Sequence, residues 1–365
     1  MKILKAYKFR LYPNAKEKQF LEQNFGNARF LYNKMLSDKI EYYKKHKKSL
    51  YNTPAQYKKE YEFLKLSDSL SLSNVQLDLE RAYKNFFRNP SFGFPKFKSK
   101  HKNKFSYKTN NQNGSIHIED EYLKLPKIGF IKIKMERQLP VNSKIKNVTI
   151  SRTKTNKYFA SIQFKYEKNI EQVEPDNFLG LDYAMSDFYV DSEGLKGNYP
   201  KFFRTLQKKL AKEQRRLSKM VRGSNNYNKQ KIKVAKVHEK IANQRKDFLH
   251  KTSRKIANFY DVVCVEGLNM KAMSQTLNFG KSVHDNGWGM FTHMLKYKLE
   301  ESGKQLIVAD KFFPSTKQCS SCKNKRESIL LSERLYNCAH CKLSLDRDLN
   351  AALNLKQYAI ESILG

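Results

Sequence analysis

Two cysteine pairs, Cys319-x2-Cys322 and Cys338-x2-Cys341, stand fifteen residues apart near the end of a 365-residue chain. Thiolates are soft donors, and four of them close a tetrahedral shell with no open position. The spacing therefore predicts one structural Zn²⁺ held by Cys319, Cys322, Cys338 and Cys341. Zinc binding of about 10–16 kcal/mol is enough to order a segment too short to own a core. Free or redox-active thiols are the competing reading, and this spacing disfavours it. His340, between the last two cysteines, reads as a bystander. The fifth cysteine, Cys264, lies in the apolar run VVCV and reads as a small core residue.

Three acids offer a different chemistry. Asp182 sits in LGLDYAMSDFYVDSEG, a hairpin pattern over residues 179–194. Glu266 follows VVCV directly, where a buried parallel-type strand would present it at its carboxyl end. Asp348 opens the last helix, whose apolar face is Leu349, Ala352, Leu353, Ile360 and Leu364. Singly, each has an ordinary explanation: a turn residue, a strand-end surface residue, and a helix N-terminal charge. Together they would resist joint ionisation, because like charges raise one another's pKa. Divalent cations remove that cost, and carboxylates with phosphate oxygens suit Mg²⁺. Two ions roughly 4 Å apart can activate water and stabilise the leaving oxygen of a phosphodiester. Asp346 competes for the third position and reads instead as the cap of the last helix.

Elements in the right order must bring these acids together. From residue 178 the pattern is hairpin, helices, apolar strand, helix around 290–299, strand KQLIVAD and final helix, the order of an RNase H-like sheet. Upstream, AYKFRLYP (residues 6–13) reads as a strand closed by Pro13, and Asn14 with Glu17 as a capping box. Gly26 reads as a break between two helices, a weak helix-turn-helix signal. Helical texture continues over 42–65 and 75–87. Alternating segments from Gly114 to Glu167 predict an antiparallel barrel or sandwich, and the polar stretch 167–177 a linker.

Charge points to the partner. The chain carries 71 Lys+Arg against 35 Asp+Glu, a formal charge of +36. Self-repulsion of that size implies a polyanionic partner. Residues 81–108 hold nine Lys/Arg, eight Phe/Tyr and no acid, so cations can neutralise phosphates while rings stack on bases. Residues 201–260 read as a helical hairpin turning at Gly223–Asn228, with 19 Lys/Arg against 3 Asp/Glu, beyond what i,i+4 pairing neutralises. A solvated charged face is the plain alternative for both. No apolar run approaches the roughly 20 residues of a spanning helix, so no membrane is expected. MKILKAYKFRLYP turns charged too early for a secretory signal, and unpaired CxxC cysteines suit a reducing cytoplasm.

These segments resemble one family along most of the chain. AYKFRLYP with FGNARFLYNKML, GFPKFKSK, LGLDYAMSDFYVDSEG, RKDFLHKTSRKIANFYDVVCVEGLNM, FFPSTKQCSSC and DRDLNAALNL look like TnpB, the transposon-encoded RNA-guided DNA nucleases related to type V CRISPR effectors. The resemblance implies a wedge β-barrel (1–13 and 90–170) interrupted by a helical recognition lobe (14–89). A RuvC-like, RNase H-like nuclease domain (178–365) would follow, with the basic hairpin 201–260 and a zinc ribbon at 316–344 inserted. It implies a guide RNA made from the transposon end, a double-stranded DNA target beside a short adjacent motif, and action on nucleoid DNA in a bacterial cytoplasm. It carries the catalytic, Mg²⁺-binding roles to Asp182, Glu266 and Asp348, the last in Asp348-Leu349-Asn350. It carries the zinc roles to the four cysteines. Three positions depart from the family pattern: Ala184 and the two residues after the CxxC pairs, Lys323 and Lys342, stand where Gly is usual. Gly267 stands where an acid is frequent. Nuclease-inactive relatives that act as RNA-guided repressors lose one or more acids, whereas this chain keeps all three. A transposase joining DNA ends with the same acids is a third reading.

Overall fold

The computed structural model describes the chain apart from residues 102–103, 277–284, 286 and 331, and apart from the side chains of residues 271 and 274. It divides into two units, Met1–Asn169 and Ile170–Gly365.

The first unit pairs a sheet with helices. Strand β1 (Lys2–Leu11) leads through Pro13 to α1 (Ala15–His46). Asn14 and Glu17 form the expected reciprocal capping box, satisfying donors that the first helical turn leaves open. Gly26 does not break the helix: α1 runs through it as one element of 32 residues. A mid-helix glycine costs only about 1 kcal/mol against alanine, which the buried stripe Leu21, Phe25, Ala28, Leu31, Met35 outweighs. The chain then pauses at Lys47, in the left-handed region at φ 56°, before α2 (Pro54–Glu60). The helical texture over 42–65 is thus two elements and a 3-10 turn. Helix α3 (Ser69–Arg88) is capped by Asp68.

Six further strands follow: β2 (Phe105–Asn110), β3 (His117–Glu119), β4 (Tyr122–Leu125), β5 (Gly129–Lys134), β6 (Lys144–Arg152) and β7 (Tyr158–Glu167). They pair antiparallel with β1 in the order β2-β6-β7-β1-β5-β4-β3. Inward residues such as Leu11, Ile131, Ile150, Ile162 and Phe164 share one core with α1 and α3.

The second unit holds a four-stranded sheet, β8 (Phe178–Asp182), β9 (Val190–Asp191), β10 (Val262–Val265) and β11 (Gln305–Val308), in the order β11-β10-β8-β9. Strands β8, β10 and β11 are parallel, and β9 turns back on β8. All four residues of β10 are buried, as a strand covered on both faces must be. Leu179, Leu181, Val263 and Val265 face one layer, with α5 (Asn225–Phe259) and α7 (Trp288–Glu300). Phe178, Val262 and Cys264 face the other, against Leu355 and Ala359 of α8 (Arg347–Leu364). Cys264 is therefore a core residue, its thiol pushed up to about 12 by burial.

Gly180 allows α8 to lie directly on β8. A Cβ there would stand 2.0 Å from Ala352 O and 2.5 Å from Lys356 N. Helix α4 (Phe202–Ser218) pairs with α5 through a narrow apolar seam of Leu210, Val237 and Ile241. Their turn lies earlier than Gly223–Asn228, because Ser224 already caps α5. A short helix, α6 (Met270–Thr276), follows β10. The cysteine segment contributes the hairpin of β12 (Leu335–Asn337) and β13 (Ser344–Asp346).

Candidate functional site

Parallel pairing fixes two of the three acids. Leu181 on β8 registers with Val265 on β10, so Asp182 and Glu266 stand side by side at the carboxyl ends of neighbouring strands. Their carboxyls are joined by a hydrogen bond. Helix α8 brings the third. Asp346 caps it, accepting from Asp348 N at 2.9 Å and Leu349 N at 3.1 Å. Asp348, within the first turn, acts electrostatically on both Asp182 and Glu266. Arg347 Nε and Nη2 hold Asp348 Oδ1 at 3.3 and 3.2 Å.

The electrostatics follow from this crowding. Asp182 is 6% exposed, and burial, then Glu266 and Asp348, hold its carboxyl well above the usual carboxylate range. Burial also raises Glu266, opposed by the hydrogen bond from Ser315. Three acids that resist joint ionisation form an oxygen donor set whose charge a hard divalent cation would neutralise. By ligand type, carboxylate oxygens are the donors such an ion takes.

The chain's departures from the family pattern have local reasons. Ala184 accepts from Phe188 N at 2.7 Å in a tight turn and needs no left-handed backbone. At Gly267 a Cβ would lie 2.8 Å from Ala309 O, leaving little room for an acid. Lys323 and Lys342 both adopt φ 62°, the left-handed conformation that glycine takes at less cost.

The four cysteines converge tightly, all sulfurs lying within 4.8 Å of one another. Among the described residues, no other set of three or more potential ligand groups gathers so closely. Cys319 and Cys341 Sγ are 3.6 Å apart, and Cys322 and Cys338 Sγ 3.5 Å. A tetrahedral shell with Zn–S bonds of about 2.3 Å needs sulfurs roughly 3.8 Å apart, so the cluster fits zinc. The Cys341 amide points at Cys338 Sγ, and with the neighbouring thiols it holds that thiol down to about 6.

Contacts the sequence did not announce tie the two clusters together. Asn350 Nδ2 donates to Gln318 O at 2.7 Å and its Oδ1 accepts from Ser320 N at 2.9 Å, bracketing Cys319. One turn on, Asn354 Nδ2 donates to Gln318 O at 2.6 Å and to Ser315 O at 2.8 Å. Both asparagines are fully buried. Their i,i+4 spacing on a helix beginning at the ribbon was the available signal; for Ser315 the sequence held none.

The basic segments present their charge outward. Lys209, Lys233, Lys236 and Lys240 line a groove of about 360 Å³ between α4 and α5, with Glu213 as its one acid. In the first unit, Phe87, Phe92 and Phe97 are 75%, 61% and 56% exposed, within the run rich in cations. Phe94 is exposed too and packs edge-on against Tyr83 and Phe86.

Among the described residues, no helix is long and apolar enough to cross a membrane. Comparison with known proteins covers the chain nearly end to end. The OrfB_IS605 family, described as "Probable transposase", matches residues 161–277. A "Cas12f1-like, TNB domain" matches 288–355, and a family described as "Helix-turn-helix domain" matches 1–48, where the structure has one continuous α1. A protein of Escherichia coli K12 named for RNA-guided DNA endonuclease activity, InsQ, is 31% identical over 378 residues, spanning 97% of this chain and 92% of its own. A Streptomyces pristinaespiralis protein of the same designation is also 31% identical, spanning 97% and 89%. A Cas12f1 chain from a complex with guide RNA and target DNA shares the fold, with TM-score 0.57, 13% identity and coverage of 97% of this chain and 99% of that one. On end-to-end identity to those relatives, with these family matches beneath it, the chain belongs to the TnpB family of insertion-element proteins.

Proposed function

We propose that this chain is an RNA-guided, metal-dependent DNA endonuclease of a bacterial insertion sequence. A guide RNA from the element's end pairs with one strand of double-stranded DNA, and the protein engages a short motif beside the target. The convergence of Asp182, Glu266 and Asp348 from two strands and a helix carries this reading. Whole-length likeness to relatives named for that activity supports it.

In this reading residues 178–365 of the second unit form a RuvC-like, RNase H-like nuclease domain. Asp182, Glu266 and Asp348 are its catalytic residues and hold Mg²⁺, two ions in the mechanism we favour. Bound ions supply the Lewis acidity that activates water and stabilises a leaving phosphodiester oxygen. The chain's own work is to bring three carboxylates to the carboxyl ends of two inner strands and the start of a helix, and to orient them. The four cysteines hold one structural Zn²⁺ in a ribbon at 316–344. The cation-rich hairpin 201–260 follows phosphate backbones, and the ring-bearing run 81–108 combines phosphate contacts with base stacking. Residues 1–13 and 90–170 form the wedge, in a barrel-like arrangement, and 14–89 the recognition lobe. The place of action is the cytoplasm, on nucleoid DNA.

Copurification tests the proposal. RNA recovered with the protein is sequenced, and a plasmid matching its guide is incubated with Mg²⁺ or with EDTA. Linear product with Mg²⁺ alone is expected. Intact plasmid in both would favour an RNA-guided repressor, and strand-transfer products between element ends a transposase.

A further inference from the structure

Ser315 belongs to neither cluster, yet it bonds to Glu266 of one and stands four residues before Cys319 of the other. It is 3% exposed, and its hydroxyl donates to Glu266 Oε1 at 2.5 Å. Its carbonyl accepts from Asn354 of α8 at 2.8 Å. Its position in the chain is fixed by a tight turn, in which Lys317 N and Gln318 N both donate to Pro314 O. Cys319, the first ribbon cysteine, follows within one further residue, and Asn350 grips the peptides on either side of it.

A glutamate at a strand end has three side-chain torsions, and its carboxylate position is otherwise loosely set. A hydroxyl donor on one oxygen restricts those torsions and leaves the other oxygen available to a cation. We propose that Ser315 is a positioning residue for Glu266: it sets the carboxylate for cation binding. Its own place depends on the clamp that Asn350 and Asn354 make between α8 and the cysteine segment. The inference rests on the reading of Asp182, Glu266 and Asp348 as the cation site. Groups that orient metal ligands are typically worth about 10–100-fold in metal affinity.

The test measures Mn²⁺ binding directly, by water-proton relaxation on the full-length zinc-loaded chain, in wild type, Asp182→Asn, Ser315→Ala and Ser315→Thr. Zinc content and thermal midpoint are recorded for each. Ser315→Ala is expected to weaken Mn²⁺ binding by about 10-fold with zinc retained. Ser315→Thr, which keeps the hydroxyl, should recover most of it. If Ser315→Ala loses zinc or fold, Ser315→Cys, of similar size with a weak donor, is expected to show the same loss. Binding sensitive to Asp182→Asn but indifferent to Ser315→Ala or Ser315→Cys overturns the inference and leaves the carboxylate reading intact. Binding indifferent to Asp182→Asn overturns both.

Discussion

The cysteine cluster and the carboxylate cluster lie in the same unit and are built in opposite ways. The cysteines come from a short segment with its own hairpin, and their sulfurs meet within 4.8 Å. The acids come from two strands and a helix far apart in sequence, and they meet because a parallel sheet and a helix laid on it bring them together. A local site is fixed by spacing; an assembled site is fixed by packing, so changes far from it can undo it. The chain joins the two sites through Ser315 and two asparagines.

Substitutions can separate the clusters. The largest effect is expected at Asp182. Asp182→Ala should reduce plasmid cleavage by at least about 1,000-fold, as loss of a group acting in the transition state does, while filter binding of guide RNA and DNA changes little. Surviving cleavage with Glu266 and Asp348 untouched would show that the acids are not the site.

Removing one cysteine tests the local site. Cys338→Ser should abolish zinc by native mass spectrometry and increase hydrogen exchange across 315–347. The sheet of residues 1–169 should stay protected. Exchange confined to the ribbon, with cleavage at wild-type level, would mean that the clusters work independently.

Gly180→Ala tests the assembled site without touching either cluster. The added methyl meets Ala352 O and Lys356 N, so α8 must move off β8. Such overpacking costs about 1–3 kcal/mol and should lower the thermal midpoint and cleavage together. An unchanged midpoint would contradict the close approach.

A smaller effect concerns pH. With its carboxyl held above the unfolded value, Asp182 favours folding below that unfolded pKa and opposes it as pH rises through the folded one. In EDTA, Asp182→Asn should therefore raise the thermal midpoint at pH 8, and the gain should shrink toward pH 4. Mg²⁺ should narrow the gap at pH 8. A gain that is the same at both pH values would rule out this origin.

The smallest effect is expected at the knuckles. Lys323→Gly and Lys342→Gly relieve side chains at φ 62°, and each should shift stability by less than about 1 kcal/mol, upward. Competition with a zinc chelator should show affinity equal or slightly higher. A marked loss would mean the lysines do more than turn the chain.

Parts of this were legible before any coordinates. The cysteine spacing, the capping box at Asn14 and Glu17, and the continuous apolar run of β10 each carry their meaning within a few residues. Asp346 could be set apart from Asp348 because helix capping is also local. Two local signals pointed elsewhere than the structure. Gly26 suggested a break, but the buried stripe on either side carries α1 through it. The hairpin turns earlier than its asparagines suggest, since asparagines that suit a turn also suit the first turn of a capped helix. Ser315, Asn350 and Asn354 are common polar residues whose partners lie on other elements; the i,i+4 spacing of the two asparagines was the one local trace, and Ser315 left none.

By itself, the sequence determined what depends on near neighbours: four thiols at ribbon spacing, strands that must be buried on both faces, and an excess of positive charge that calls for a polyanion. Tertiary structure alone decided the register that sets Asp182 beside Glu266 and which side chains bond to the acids. Side chains distant along the chain meet only when sheet register and a helix seated on a glycine place them. The energy of that meeting comes from burial and long-range packing, which no local pattern records.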